Sequence, residues 1–331
     1  MDKLAWISGE SFLYWNSIVY TLAAATVICF FLAFYLGKCG NAVAGFAAVP
    51  LSIVCGIVLA RFVHWYSRAD SYDGFMAAMT DYTSGGYALL GVFLGCFLAA
   101  GLLRLVRFHR NLPQMLDCMA VAGCAGIAVG RLASLFNSSD RGQIVAETFG
   151  MPFAYPVTNA VSGLAENRLA TFLLQSVSTA AIVALLVLYM LLCVLRKKKL
   201  RDGDVTLLFL LMYGACQILL DSTRYDSLFM RSNGFISVVQ ILGLVAMVVP
   251  IVVFSVRAVK NMGIRKIHFV LWVLILAMII GSLLYKKMSQ RLFMIITYIL
   301  LLISGISSLN RPIILLKSAL DVFLPMRFNT S

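Results

Sequence analysis

Charge is scarce in this chain. Only 12% of its 331 residues are Asp, Glu, Lys or Arg, while 61% are hydrophobic and the mean hydropathy is +0.93. Soluble domains carry about 25% charged residues. The balance excludes a soluble protein with a large core and points to an integral membrane protein. Histidine is nearly absent, and His64, His109 and His268 form no metal-spaced cluster. The eight cysteines lie in or beside apolar runs and include no Cys-x-x-Cys pair. Neither a zinc site nor a disulfide framework is expected, and nothing in the chain calls for a metal or a cofactor. The first residues, Met1–Trp15, contain Asp2 and Glu10 and lack a basic-then-apolar pattern. No cleaved signal peptide is expected, and the first apolar run is read as inserting uncleaved.

Apolar runs make up most of the chain. A transmembrane helix needs about 20 mostly apolar residues. Nine runs qualify: Ile18–Leu36, Ala42–Ala60, Tyr87–Val106, Met115–Phe136, Leu169–Leu195, Val205–Leu220, Phe235–Val256, Phe269–Tyr285 and Leu292–Leu309. The fold class is therefore an all-α polytopic helical bundle. No repeat with paired broken helices is evident, which disfavours a solute transporter. The tail Pro312–Phe328 has the alternation of an interfacial helix.

The formal net charge of +13 raises the question of nucleic acid, and its distribution answers it. With the N-terminus outside, basic residues dominate the inner segments: Lys38; Arg104, Arg107 and Arg110; Arg196–Lys199 with Arg201; Arg257, Lys260, Arg265 and Lys266; Arg311, Lys317 and Arg327. The outer segments carry both signs nearly equally. This is the positive-inside bias, so the charge reports orientation and no nucleic-acid partner is expected. Nine spans then put the C-terminus in the cytoplasm. Lys286, Lys287 and Arg291 are the exception, since this scheme places them outside.

Ionisable residues at membrane depth are costly and tend to face a bundle interior. Three groups stand at the outer ends of spans: Arg61 with His64, Arg131, and Asp221 with Arg224. All fall on one face under this topology, and a basic cluster there suits a phosphate or carboxylate. The bland alternative is that each arginine snorkels to the interface. The outer stretches Phe62–Gly86 and Asn137–Arg168 are long, and the second is expected to hold short interfacial helices or a lid. Gly91-x-x-x-Gly95 and Gly126-x-x-x-Gly130 are expected to allow close helix contact.

The arginines sit in patterned segments. Gly130-Arg131-Leu132-Ala133-Ser134-Leu135-Phe136-Asn137-Ser138-Ser139-Asp140-Arg141-Gly142 resembles the G-R-x-G-N-F-x-N-x-E-x-x-G signature of the prolipoprotein diacylglyceryl transferase family. It keeps Gly130, Arg131, Asn137 and Gly142. It departs at Ala133, Ser134 and Leu135, and Ser139 replaces the Glu. Tyr213-Gly214-Ala215-Cys216-Gln217-Ile218-Leu219-Leu220-Asp221-Ser222-Thr223-Arg224 is similar to the family's Y-G-x-x-R-F-x-x-E-x-x-R, with an acid for the Glu. Gly234-Phe235-Ile236-Ser237-Val238-Val239-Gln240-Ile241-Leu242 resembles G-x-L-S-x-G-Q-x-L. Arg201-Asp202-Gly203 and Leu59-Ala60-Arg61-Phe62 match further elements in order.

The resemblance covers about residues 40–255 and implies seven core helices with two extra C-terminal spans. A boundary follows between a membrane domain at 1–256 and an extension at 257–331. It implies a bacterial plasma-membrane enzyme that moves a diacylglyceryl group from phosphatidylglycerol to the lipobox cysteine thiol of prolipoproteins, whose signal peptides are partners. On that reading Arg224, Asp221 and His64 are the catalytic candidates. Arg131, Asn137, Gly142 and Arg61 are the headgroup-binding candidates. Asp221, three residues before Arg224, would share its helix face and orient it. Two family elements have lost their histidine. Leu90 stands at the His of G-G-x-x-x-H-G-G-x-x-G, and Leu169–Gln175 is the best match to H-P-x-Q-x-Y-E. The alternative is a non-catalytic paralogue that binds an anionic phospholipid or a lipoprotein precursor.

Overall fold

The computed structural model describes residues 4–8, 11–67, 72–81, 86–109, 111–137, 140–145, 152–158, 163–197, 200–221, 223–224, 229–230 and 233–262. The expected runs Phe269–Tyr285 and Leu292–Leu309, the tail Pro312–Phe328 and the exception at Lys286, Lys287 and Arg291 lie outside the described residues.

In lipid every backbone polar group must be satisfied within the chain, which leaves the helix as the form for each apolar run. The helices are α1 (Trp15–Cys39), α2 (Ala42–Ser67), the short α3 (Phe75–Thr80), α4 (Leu89–Leu105), α5 (Leu112–Gly130), α6 (Thr171–Leu195), α7 (Asp204–Asp221) and α8 (Val238–Met262). Among the described residues six are long and apolar enough to cross a membrane, and α4 is a shorter apolar helix. The chain is a polytopic helical membrane protein. The first seven expected runs each fall on one of these helices. The last of them, α8, continues past residue 256 to Met262.

The helices pack in pairs around α5. The closest pairs are α2 with α4, α1 with α5 and α7 with α8, while α5 also contacts α6 and α7. Small residues allow this. A Cβ on Gly91 would run into the backbone of Leu59 and Ala60, and one on Gly95 into Gly56, as the GxxxG spacing leads one to expect. Gly214 of α7 and Gly243 of α8 make a second such crossing, each facing the other's carbonyl. One core cluster gathers Phe31, Tyr35, Ala48, Leu103, Met115 and Ala122. Another joins Val121, Cys124, Ile182, Leu186, Phe209 and Tyr213 where α5, α6 and α7 meet.

The two ends of the bundle differ. At one end Asp117 of α5, 2% exposed, accepts from the Gly203 and Thr206 amides at 2.9 Å and from the Thr206 hydroxyl at 2.9 Å. Lys38 of α1 pairs with it at 3.1 Å. Asp117 thus caps the positive end of α7 from a different helix. At the opposite end, among the described residues, stand three antiparallel hairpins: β1 (Leu4–Ser8) with β2 (Ser11–Tyr14), β3 (Ala154–Thr158) with β4 (Ala165–Leu169), and β5 (Phe229–Met230) with β6 (Asn233–Ser237). The expected interfacial helices between residues 137 and 168 are not found among the described residues. Its described part holds the strands β3 and β4, in keeping with Tyr155, Val157 and Thr158, which favour extended backbone.

Candidate functional site

The site grows from the end of α5. The helix stops at Gly130 and tightens into a 3-10 turn, Arg131–Leu135. The chain then turns back through Asp140, whose φ of 57° is left-handed. A non-glycine residue there is uncommon, and Asp is among the few that tolerate it. This conformation swings the Asp140 carboxylate back onto the helix end. Its Oδ2 accepts from Arg131 Nη1 at 2.8 Å and from the Ser134 hydroxyl at 3.1 Å. Its Oδ1 meets Arg224 Nη2 at 2.6 Å. Burial alone would raise the Asp140 pKa, but the two guanidiniums and the Ser134 hydroxyl outweigh it and hold it below the ordinary carboxylate range.

Arg224 reaches this point by strand-like pairing. Helix α7 ends at Asp221, so Arg224 is not on its face, and the shared helical face expected for Asp221 and Arg224 is not formed. Instead Arg224 lies in an antiparallel bridge with Gly142, and the Gln143 amide donates to the Thr223 carbonyl at 2.9 Å. The Gly142 amide donates to the Leu169 carbonyl at 2.8 Å. Residues 142–145 therefore lie between β4 and the 223–224 segment. Gly142 is needed for that approach, because a Cβ would come within 2.5 Å of the Thr171 hydroxyl and 3.0 Å of the Thr223 carbonyl. Its place is a backbone junction. Asp221 is 2% exposed, and its carbonyl accepts from the Arg224 amide at 3.1 Å. The Asn137 carbonyl accepts from Arg141 Nη2 at 3.1 Å.

Arg61 and His64 form a second cluster, between α2 and residues 72–88. Arg61 is 3% exposed and donates to the carbonyls of Ala78 at 2.6 Å, Gly86 at 3.0 Å and Asp81. Tyr72 and Tyr87 flank its guanidinium. It is taken up in clasping the loop over the α2–α4 pair. His64 Nδ1 is 3.2 Å from the Tyr72 hydroxyl, and its ring lies against Gly86. Arg131 and Arg224 thus meet at Asp140, while Arg61 and His64 meet at the loop that leads into α4 and Leu90.

Sequence reasoning missed two features. The first is Asp140, the carboxylate shared by both arginines. Its signal was its place directly after Ser139, where the family pattern has Glu. The second is Gln175 of α6 facing Gln217 of α7, with Nε2 of one 3.4 Å from Oε1 of the other. Both are buried. The motif registers place them at the Glu of H-P-x-Q-x-Y-E and the first Arg of Y-G-x-x-R-F, so a neutral amide stands at each position where the pattern has a charge.

A family model described as prolipoprotein diacylglyceryl transferase matches residues 4–256. The phosphatidylglycerol–prolipoprotein diacylglyceryl transferase of Finegoldia magna is 23% identical over 269 residues, covering 79% of this chain and 99% of that protein. The protein of the same name from Limosilactobacillus reuteri is 25% identical over 271 residues, covering 79% and 93%. That from Lysinibacillus sphaericus is 25% identical over 217 residues, covering 64% and 75%.

Proposed function

This chain belongs to the prolipoprotein diacylglyceryl transferase family, and from that premise we propose that it is an active, divergent transferase. Its donor is phosphatidylglycerol, and its acceptor is the lipobox cysteine thiol at the signal peptide of a prolipoprotein. It acts in the plasma membrane of a bacterium, with its N-terminus outside and its C-terminus in the cytoplasm. The observation that carries this reading is the convergence of Arg131 and Arg224 on Asp140 at one end of the bundle, inside two segments that follow the family's patterns.

The chemistry sets three demands. The thiol loses its proton, because the thiolate is the nucleophile. Sulfur then bonds to the terminal glyceryl carbon of the diacylglyceryl group, and the bond from that carbon to the phosphate oxygen breaks. Glycerol phosphate departs with the electron pair. Charge builds on the leaving phosphate, and preorganised guanidiniums stabilise it, each such donor contributing on the order of 10²–10³ in rate. Arg131 and Arg224 fill this role, with Asp140 and the buried Asp221 holding their segments in place. Asn137 and Gly142 shape the loop around the headgroup, and Arg61 clasps the neighbouring wall. His64 is the candidate base. Its Nδ1 stands 3.2 Å from the Tyr72 hydroxyl, which orients the ring.

Leu90 favours a second reading, a non-catalytic paralogue that binds an anionic phospholipid or a lipoprotein precursor, because it puts an apolar side chain at the family's histidine. Complementation separates the two. In cells depleted of their own transferase, the wild-type chain is expected to restore lipoprotein maturation, and His64→Ala to abolish it. If wild type fails and Leu90→His succeeds, the missing base is the defect and the paralogue reading stands.

A further inference from the structure

Arg131 and Arg224 are not the only arginines at this end of the described residues. Arg141 follows Asp140 in the chain and is 8% exposed. Its Nη2 donates to the carbonyls of Ser134 at 3.0 Å and Asn137 at 3.1 Å. Its Nε and Nη1 are buried and have no hydrogen-bond partner among the described residues. The guanidinium carbon lies 4.9 Å from the Tyr155 ring centroid and 4.7 Å from that of Phe172. Those centroids are 5.8 Å apart, too close to sit on opposite faces of the guanidinium. The rings therefore form a corner on one side of it. Cation–π contact offsets part of the cost of burial, and burial pushes the Arg141 pKa below the ordinary arginine value. Arginine nevertheless keeps its charge in proteins. The adjacent carboxylate, Asp140, is already engaged by Arg131 and Arg224.

A buried cation with unused N–H groups is costly unless an acceptor meets it. We propose that Arg141 is a third cation of the donor site and that its Nε–H and Nη1–H groups take oxygens of the phosphatidylglycerol headgroup. This rests on the reading of the site as a phospholipid site, while the family pattern leaves position 141 unspecified. Nε and Nη1 point along different edges of the guanidinium. Separate acceptors suit them better than one carboxylate fork, and a phosphate flanked by glycerol hydroxyls offers separate acceptors. Asp140 and Arg141 then divide the work. One holds Arg131 and Arg224 in place, and the other supplies donors that the protein itself leaves unused.

The test is titration of the purified full chain with a short-chain phosphatidylglycerol and, in parallel, with the phosphatidylcholine of the same acyl length. Arg141→Gln is expected to weaken phosphatidylglycerol binding by about tenfold or more, roughly 1.4 kcal/mol, and to leave phosphatidylcholine binding unchanged. Arg141→Lys, which keeps the charge but not the spread of donors, is expected to fall between. Unchanged phosphatidylglycerol binding in Arg141→Gln overturns the proposal, as does an equal loss for both lipids. If Arg141→Gln does not fold and Arg141→Lys binds like wild type, Arg141 only fastens the turn, and the proposal falls. If the effect is confined to the KM for a lipobox peptide, the open donors serve the peptide, and the proposal again falls. Arg141-dependent lipid binding in a chain without transfer activity upholds this inference and removes the transferase reading. Normal transfer with an unaltered lipid KM in Arg141→Gln does the reverse.

Discussion

At the scale of single residues, Asp140 organises the site. Two guanidiniums and one hydroxyl converge on it, and its left-handed backbone is of the kind that persists where surroundings over-determine it. Asp140→Asn tests the charge without disturbing the backbone, because Asn also tolerates that conformation. It leaves two partly buried arginines without their carboxylate. Removing one partner of a buried pair costs about 3–5 kcal/mol, so thermal unfolding is expected to show a clear loss of stability. The pH dependence has a definite sign. The Asp140 pKa is depressed in the folded state. Its contribution is therefore complete above the unfolded carboxylate value of about 3.9. It is lost as pH falls through the folded value. Wild type is expected to lose stability more steeply than Asp140→Asn on acidification below about pH 4, read from denaturation midpoints across pH.

At the scale of elements, the paired glutamines give a sharper test of how far this chain has diverged. Gln175 and Gln217 sit where the family pattern has Glu and Arg, and they are buried against each other. Gln175→Glu and Gln217→Arg are each expected to destabilise by several kcal/mol, because each alone buries an unpaired charge. The double variant is expected to recover most of that loss, giving a coupling energy that a double-mutant cycle reads from unfolding midpoints. Additive effects would mean that the two side chains do not act as a pair.

Much of the element order was legible in the sequence. The first seven apolar runs became helices, because an apolar run in lipid has one way to satisfy its backbone. The GxxxG spacing at Gly91 and Gly95 became the close α2–α4 crossing. Arg131 and Arg224 were found because charge at a span end is conspicuous. Their common partner was not. Asp221 looked right only if α7 continued to Arg224, and the helix ends at Asp221. The partner Asp140 depends on a single left-handed residue and on pairing of 142–145 with both β4 and 223–224. Such contacts link distant parts of the chain and leave no local periodicity. The sequence places Arg61 at a headgroup, whereas the carbonyls of Ala78, Asp81 and Gly86 take its donors, and carbonyls carry no sequence signature.

At the scale of the whole molecule, the two ends of the bundle do different work. One end is fastened by Asp117, Lys38 and the start of α7. The opposite end carries the hairpins and the convergent cations. The family match closes at residue 256, and α8 ends at Met262. A chain truncated after Met262 is expected to keep its thermal transition and its phosphatidylglycerol binding, measured in the same detergent as the full chain. Loss of both would make 263–331 part of the membrane domain. Whether the cations that converge at Asp140 serve diacylglyceryl transfer is decided by mass spectrometry of a lipobox peptide incubated with phosphatidylglycerol and the purified protein. The account predicts a peptide heavier by one diacylglyceryl group on its cysteine, with about 10²-fold less product for Arg131→Ala or Arg224→Ala. A folded, lipid-binding wild-type protein that leaves the peptide unmodified at high enzyme concentration would contradict it.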